Sequence, residues 1–308
     1  MSESVSRIGI VLRTKNRPNF LRRALADILA QKFDLWRVAI VNDGGDPDAV
    51  EHAISSLSER TRAKIVVRHN DAPTGRSAAA NQGVALLDTE FIVLHDDDDL
   101  WDPHFLGETV DWLDGHPEHV GVVARTEIVY EEEADGTGEF VEVGRAPFWA
   151  DMEQVTYTDL LKVNRVVPIG YLYRRSIHDV VGGYREDLHA AEDWEFNLRV
   201  ALHHQIGFMA EPALAFWMQR VGVEGEAGNS MFALAHEHER YDHLIRDEAL
   251  VRHDREYGPG LSLYLTRFIQ DTVRETIREE IRQELDRRPS DLDRIRGRLR
   301  GLMRKRRS

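Results

Sequence analysis

The residue types able to do chemistry concentrate in a few places, and the densest is Asp96-Asp97-Asp98-Asp99. Four adjacent carboxylates repel one another, so a fold that holds them together must supply positive charge nearby. A hard divalent cation is one natural counter-charge, because Mg2+ and Mn2+ prefer oxygen ligands and keep coordination sites for phosphate oxygens. The run is not an EF-hand loop, since it lacks the turn glycine and the terminal glutamate. A solvated acidic loop has the same sequence signature. A second acidic pair, Glu192-Asp193, opens Trp194-Glu195-Phe196. Acids in that position either move protons or stabilise the positive end of a helix. Asp43, in Asn42-Asp43-Gly44-Gly45, either meets a ligand or closes a turn.

The elements that must position these groups follow from hydrophobic periodicity. Ile8 to Arg13 reads as a buried strand, and Pro18 suits the first turn of a helix with Leu21, Leu25, Ile28 and Leu29 on one face. Trp36 to Val41 and Lys64 to Arg68 are the next strands. A small-residue helix from about Thr74 to Leu87 follows, and Phe91 to Leu94 is a fourth strand that stops at the aspartates. This alternation predicts βαβ units and half of an open, doubly wound parallel sheet, whose ligands collect at the carboxyl ends of the strands. Val120 to Tyr130 and Glu139 to Val143 flank Glu131 to Gly136, which reads as a solvated hairpin tip. Val166 to Tyr173, Ile206 to Met209 and Ala213 to Met218 are further strands, and Glu192 to Leu202 is a helix. Gly222 to Asn229 reads as a mobile loop. After Ser230 the pattern is helical, with Leu265, Ile269, Val273, Ile277, Ile281 and Leu285 recurring every fourth residue.

At 308 residues, with 42% apolar and 31% charged residues, the chain is expected to be globular. No apolar run approaches the roughly 20 residues that span a bilayer, and no export signal is visible, so a cytoplasmic location is expected. The absence of cysteine excludes disulfides, thiolate metal sites and a cysteine nucleophile. The net charge is −14, but residues 288–308 carry +7 and the rest −21. An acidic body argues against general nucleic-acid binding, which rests on phosphate neutralisation.

Arg13 to Arg17 after strand one, Asp43 after strand two, Gly75 to Gly83 after strand three, the aspartates after strand four and Glu192-Asp193 further on form one ordered set. Over about Arg7 to Ser230 this set resembles the family 2 glycosyltransferases. The resemblance implies a Rossmann-like GT-A domain over 1–230 with a helical extension over 231–308. It also implies an inverting, metal-dependent transfer of a sugar from a UDP- or dTDP-type donor to an acceptor hydroxyl. Thr14, Asn16, Arg17, Asp43, Arg76, Asp96 and Asp97 then lie on the donor side, with Asp43 accepting from the base and Asp96 near the ribose and metal. Asp98 would bind Mn2+ or Mg2+ across the diphosphate, and Asp193 would be the general base.

Two departures stand out. Ala78-Ala79-Ala80-Asn81 lacks an arginine that relatives often carry before the asparagine, and Arg76 is the substitute. No histidine follows the last core strand in Trp217-Met218-Gln219-Arg220, which leaves Gln219, Arg220, Glu224 or Glu226 to fill its place. Trp101 and Trp194 adjoin motifs and are expected as core residues, with sugar stacking the alternative.

The competing readings are a nucleotidyltransferase, which would need a glycine- and basic-rich loop absent after Ile10, and a non-catalytic scaffold, which the retained Asp98 and Asp193 oppose. The expected acceptor is a saccharide or lipid-linked molecule in cell-surface polysaccharide or glycolipid synthesis. The basic tail, with Leu292, Ile295, Leu299 and Leu302 at helical spacing, is expected to touch the inner face of an anionic membrane. The 265–285 stripe is expected to mediate homo-oligomer contact.

Overall fold

A computed structural model of the chain describes residues 6–134, 140–220, 223 and 235–287. A seven-stranded sheet forms its centre. Strands β1 (Ile8–Thr14), β2 (Trp36–Asp43), β3 (Ile65–Asn70) and β4 (Phe91–Asp96) run parallel in the order β4-β1-β2-β3. The sheet continues beyond β4 through β9 (Tyr171–Arg174), β6 (His119–Ala124) and β10 (Gln205–Met209), with β9 antiparallel to both β4 and β6. The strand order reverses at β1, since β2 and β3 extend one way and β4 the other. The crevice beyond the carboxyl ends of β1 and β4 is therefore the ligand position of such a sheet. Arg13, Thr14 and the aspartate run all lie at that edge.

Every residue of β1 is buried because helices cover both faces. Ile8, Ile10 and Leu12 point to the face packed by α1 (Pro18–Ala30), α2 (Pro47–Ser55) and α5 (Phe105–Gly115). Val11 points to the other face, where α4 (Arg76–Ala85) and α8 (Glu192–His203) pack. On α1 the buried side chains are Phe20, Leu21, Ala24, Leu25 and Ile28. Each large apolar residue there contributes about 1.5–3 kcal/mol of burial. Leu29, expected on the same face, is 40% exposed. Two short helices, α3 (Glu59–Arg62) and α7 (Ile177–Val181), and the turn α6 (Tyr157–Leu160) complete this part.

The structure divides the expected strand Val120 to Tyr130 in two. At Arg125 the chain leaves β6 and enters β7 (Thr126–Glu133), which belongs to a second sheet, β5-β11-β7-β8. There β11 (Ala215–Gln219) lies between β5 (Leu100–Trp101) and β7, and β8 (Phe140–Pro147) forms the edge. The Arg125 guanidinium fixes this corner by donating to the carbonyls of Trp149, Met152 and Ala210 at 2.9–3.1 Å. The strand expected over Val166 to Tyr173 shrinks to β9. Pro168 lacks an amide hydrogen and starts a 3-10 turn over Pro168–Gly170 instead.

The chain forms two compact units, Met1–His243 and Leu244–Ser308. Helices α9 (Ala235–Tyr257) and α10 (Gly260–Arg287) confirm the helical reading, parted at Gly258, whose φ of +83° suits glycine. Leu265, Ile269, Val273, Ile277 and Ile281 are 43–56% exposed. Steps of four residues overshoot a full turn by about 40°, so this stripe winds around α10 instead of forming a straight seam. No helix among the described residues is long and apolar enough to cross a membrane. The basic tail and Glu224 and Glu226 lie outside the described residues.

Helix α4 sits close on β1 because Gly83 offers no side chain there. A Cβ at Gly83 would fall 2.3 Å from Val11 Cγ1, inside the packed sheet. Gly83→Ala is expected to lower stability by about 1–3 kcal/mol through overpacking. An unchanged unfolding transition in urea would show that the α4–β1 contact is looser than described.

Candidate active site

The carboxylate run is held by arginines from three directions. Arg13 and Asp96 are register partners across β1 and β4, and Arg13 donates to Asp96 Oδ1 from Nε at 2.8 Å and lies 2.6 Å from it through Nη2. Thr14 Oγ1 donates to Asp97 Oδ2 at 2.6 Å, and Arg17 donates to both oxygens of Asp97. Asp98 Oδ2 accepts from Arg17 Nη1 at 3.3 Å and from Arg220 Nη2. Arg220 stands just beyond β11 and is fully buried. Its other terminal nitrogen meets Glu131 Oε2 at 3.1 Å, and its guanidinium lies 4.6 Å from the Phe20 ring centre. Arg23, on α1, pairs with Glu131 at 2.6 Å and donates to the Asp98 carbonyl at 2.7 Å.

Burial sets Asp96 apart from the three aspartates that follow it. Asp97, Asp98 and Asp99 are all interior. The Asp97 side chain has no exposed surface, and burial pushes its carboxyl up to about 7 despite Arg17, with Asp98 adding to the rise. Asp99 accepts the Met218 amide at 3.0 Å, and burial followed by the charges of Asp98 and Asp96 drives it well above the usual carboxylate range. The Asp98 side chain is 10% exposed, whereas that of Asp96 is 28% exposed. Burial opposes ionisation of Asp96, yet Arg13, Arg76 and Arg17 together hold it below its ordinary value. Asp97, expected beside the donor, is buried and anchors Thr14 and Arg17.

The remaining donor-side expectations land around the same crevice with varied roles. Asn16 adopts a left-handed φ of +53°, which asparagine tolerates, and its side chain accepts the Asp46 amide at 2.9 Å. Asp43 Oδ1 accepts from Asn70, the Thr74 amide and the Thr74 hydroxyl at 2.7–2.9 Å, while Oδ2 accepts the Gly75 amide at 2.9 Å. Partial burial raises its carboxyl, but these hydrogen bonds outweigh it and hold the group below the usual range. Asp43 therefore closes the β3–α4 loop. Arg76 begins α4 and reaches Glu192 Oε2 at 3.2 Å, and its carbonyl accepts from Arg13 at 3.1 Å.

Glu192 and Asp193 open α8 immediately after Ala191, whose φ of +61° is unfavourable for a residue with a side chain. Burial, then the adjacent Glu192 charge, pushes the Asp193 carboxyl up to about 6, against the pull of Arg76, the Trp194 amide and Asn164. Asn164 Nδ2 donates to Asp193 Oδ2 at 2.8 Å. Arg13 Nη1 also comes within 4.0 Å of Glu192 Oε1. Arg13 thus pairs with Asp96 and comes near Glu192, which brings the end of β4 and the start of α8 together.

Trp101 and Trp194 are core residues, as expected. Their indole nitrogens donate to the carbonyls of Ile169 at 2.7 Å and Leu160 at 2.6 Å. Glu131 corrects the reading of a solvated tip: β7 extends through it, and it is buried as the shared partner of Arg23 and Arg220. A shift of register between Tyr130 and Glu131 turns that carboxylate inward, and no pattern in the acidic run Glu131 to Glu133 signals it. Arg23 and Asn164 were likewise silent, one on a helix face and the other in a loop.

The donor set suits a divalent ion that brings phosphate with it. Among the described residues no hydrogen bond reaches Asp96 Oδ2 or Asp98 Oδ1, so each carboxylate keeps one oxygen. No cluster of three or more metal-ligating side chains occurs among the described residues. Two carboxylates completed by diphosphate oxygens and water match the habit of Mg2+. Arg220 occupies the neighbourhood of Asp98 where a further protein ligand was expected.

The reversed parallel sheet, with carboxylates at its switch point and a second acidic pair at the start of α8, has the GT-A architecture of glycosyltransferases. Residues 9–182 match the profile of Glycosyl transferase family 2, and the chain belongs to that family. It is 31% identical over 206 residues to the uncharacterized glycosyltransferase YwdF of Bacillus subtilis, covering 65% of this chain and 70% of that protein. Its fold resembles S. aureus TarS in complex with UDP-GlcNAc, with a TM-score of 0.57 and 19% identity, covering 83% of this chain and 75% of the other. It also resembles the mannosyltransferase PcManGT from Pyrobaculum calidifontis in complex with GDP-Man and Mn2+, with a TM-score of 0.52 and 16% identity over 87% and 81% of the two chains.

Removing one partner of a buried ion pair leaves an uncompensated charge. Arg220→Met is expected to cost about 3–5 kcal/mol in denaturant unfolding, because Asp98 and Glu131 lose their shared partner. Adding Glu131→Gln should recover part of that loss. Additive effects of the two changes would mean that the pair is not coupled as the contacts indicate.

Proposed function

We propose that this protein is an inverting glycosyltransferase, using a nucleoside-diphosphate sugar bound against Asp96 and Asp98 and an acceptor hydroxyl bound against Asp193. The observation that carries this reading is the bridge through Arg13, which contacts Asp96 and approaches Glu192, the neighbour of Asp193. In this reading the donor and acceptor carboxylates flank one crevice. The likeness to structures holding UDP-GlcNAc and GDP-Man supports a nucleotide-sugar donor, with uracil the base in one neighbour and guanine in the other. The acceptor in this reading is a saccharide or lipid-linked molecule of envelope polysaccharide or glycolipid synthesis.

The chemistry then divides among the chain's own residues. Asp193 takes the proton of the acceptor hydroxyl as its oxygen bonds to the anomeric carbon. The bond from that carbon to the diphosphate breaks on the opposite face, its electron pair passes to the diphosphate oxygen, and the configuration inverts. Asp96 and Asp98 would hold a Mg2+ or Mn2+, which would offset the negative charge that gathers on the departing diphosphate. Arg13 and Arg17 hold Asp96 ionised, and the α4 amino end with Arg76 adds positive potential beside the donor.

Asp193→Asn is expected to keep nucleoside-diphosphate affinity and to lower kcat by at least ~10²-fold, as for loss of a general base. Normal turnover by this variant would remove Asp193 from the reaction. Asp98→Ala should abolish transfer and weaken diphosphate binding in Mn2+, and full activity after exhaustive chelation would exclude the metal-assisted reading.

The pH dependence follows from the Asp193 carboxyl, pushed up to about 6. Only its ionised form accepts a proton, so kcat/KM should rise with pH through about 6 and level off above it. A profile flat from pH 5 to pH 8, a span bracketing that value by roughly one unit or more, would contradict the assignment.

A further inference from the structure

Asn164 lies in the loop between α6 and the Pro168 turn, outside every motif discussed above, and its side chain is built into the base. Asn164 Oδ1 accepts the backbone amide of Val166 at 3.1 Å, and Nδ2 donates to Asp193 Oδ2 at 2.8 Å. A backbone amide can only donate, so the orientation of the Asn164 amide is fixed and its NH2 must face Asp193. Helix α8 clamps the loop on both sides of this contact. Trp194 Nε1 donates to the Leu160 carbonyl at 2.6 Å, and Asn197 Nδ2 reaches the Val166 carbonyl at 3.4 Å and Asn164 Oδ1 at 3.5 Å. Asp193 and Asn197 are one turn apart on α8, so one helix carries the base and grips the loop that orients it.

We propose that Asn164 is the positioning residue of the general base, holding Asp193 Oδ2 as a permanent acceptor so that the proton from the acceptor hydroxyl lands on Oδ1. This inference rests on the reading of Asp193 as the base. An amide NH2 cannot accept a proton, and protonating Oδ2 would weaken its bond to Asn164. The working oxygen is therefore Oδ1, and the direction of proton transfer is set before any acceptor binds. The charged groups facing Asp193 are Glu192 beside it and Arg76 from α4, with the neutral Tyr184 hydroxyl also close, and His238 of α9 near Arg76 and Glu192. Of the groups acting on Asp193, Asn164 is the side chain that donates a hydrogen bond to it without carrying charge.

The test is the pH profile of nucleoside-diphosphate release from an accepted nucleotide sugar by full-length protein, in wild type, Asn164→Asp, Asn164→Ala and Asp193→Asn. Asn164→Asp is isosteric and can still accept the Val166 amide, but it sets a second carboxylate against Asp193. Two carboxylates at that spacing share a proton, so the acidic limb of kcat/KM should move up by about one pH unit or more. Asn164→Ala should move the limb upward less and lower the plateau kcat about tenfold, because the base loses a charge-assisted bond and its orientation. Both variants should bind UDP in Mn2+ as wild type does, which shows that the fold and donor side are intact. If Asn164→Asp fails to fold, the Asn164→Ala limb and its UDP affinity decide alone.

An unshifted acidic limb in a variant that binds UDP normally overturns the role of Asn164. A lowered kcat without a shifted limb assigns Asn164 to loop packing alone and also overturns it. If Asp193→Asn turns over normally, the reading of the base itself fails, an outcome distinct from the failure of Asn164.

Discussion

The structure depends on one electrostatic constraint: the carboxylates that end β4 must stay packed together without driving the fold apart. Arg13, Arg17, Arg23 and Arg220 meet that constraint from β1, from α1 and its approach, and from the end of β11. Removing charges from water is costly unless they are paired and hydrogen-bonded, and each of these arginines contacts at least two groups. The raised carboxyls of Asp97 and Asp99 relieve the remaining repulsion. Asp96, flanked by three arginines, stays ionised and partly exposed.

This arrangement joins the two sheets to the chemistry. Arg220 reaches Asp98 from the end of β11, and the Met218 amide holds Asp99, so the second sheet anchors the loop that the first sheet presents. On the opposite side Arg13 and Arg76 converge on Glu192, which ties the start of α8 to the same loop. The positive backbone dihedral at Ala191 costs roughly 1–3 kcal/mol, and strain of that size is tolerated where the surroundings fix a functional group. Here it turns the chain directly into Glu192 and Asp193.

Much of this was legible in the sequence because it follows simple periods. The four parallel strands, α1, α4 and α8 follow from buried alternation and helical spacing, and the ordered motifs place Asp96, Asp98 and Asp193 at strand and helix ends. What escaped is non-local. The break at Arg125 cannot be read from Val120 to Tyr130, whose apolar pattern runs on through the corner while the chain changes sheets. Glu131 looks solvated beside Glu132 and Glu133, and only the inward turn of β7 against Arg23 and Arg220 reveals it as buried. Asp97 and Asp98 have identical side chains in sequence, and tertiary packing alone decides that one faces Thr14 while the other faces Arg220. Asn164 is one polar loop residue among many until α8 is seen beside it.

The most direct measurement of the central claim is a crystal structure of the protein grown with UDP and Mn2+, with anomalous scattering recorded to locate the manganese. The account predicts an anomalous peak at Asp96 and Asp98, in contact with the diphosphate, while Arg13, Arg17 and Arg220 keep their carboxylate partners. A diphosphate bound elsewhere, or manganese seated away from both aspartates, would contradict it.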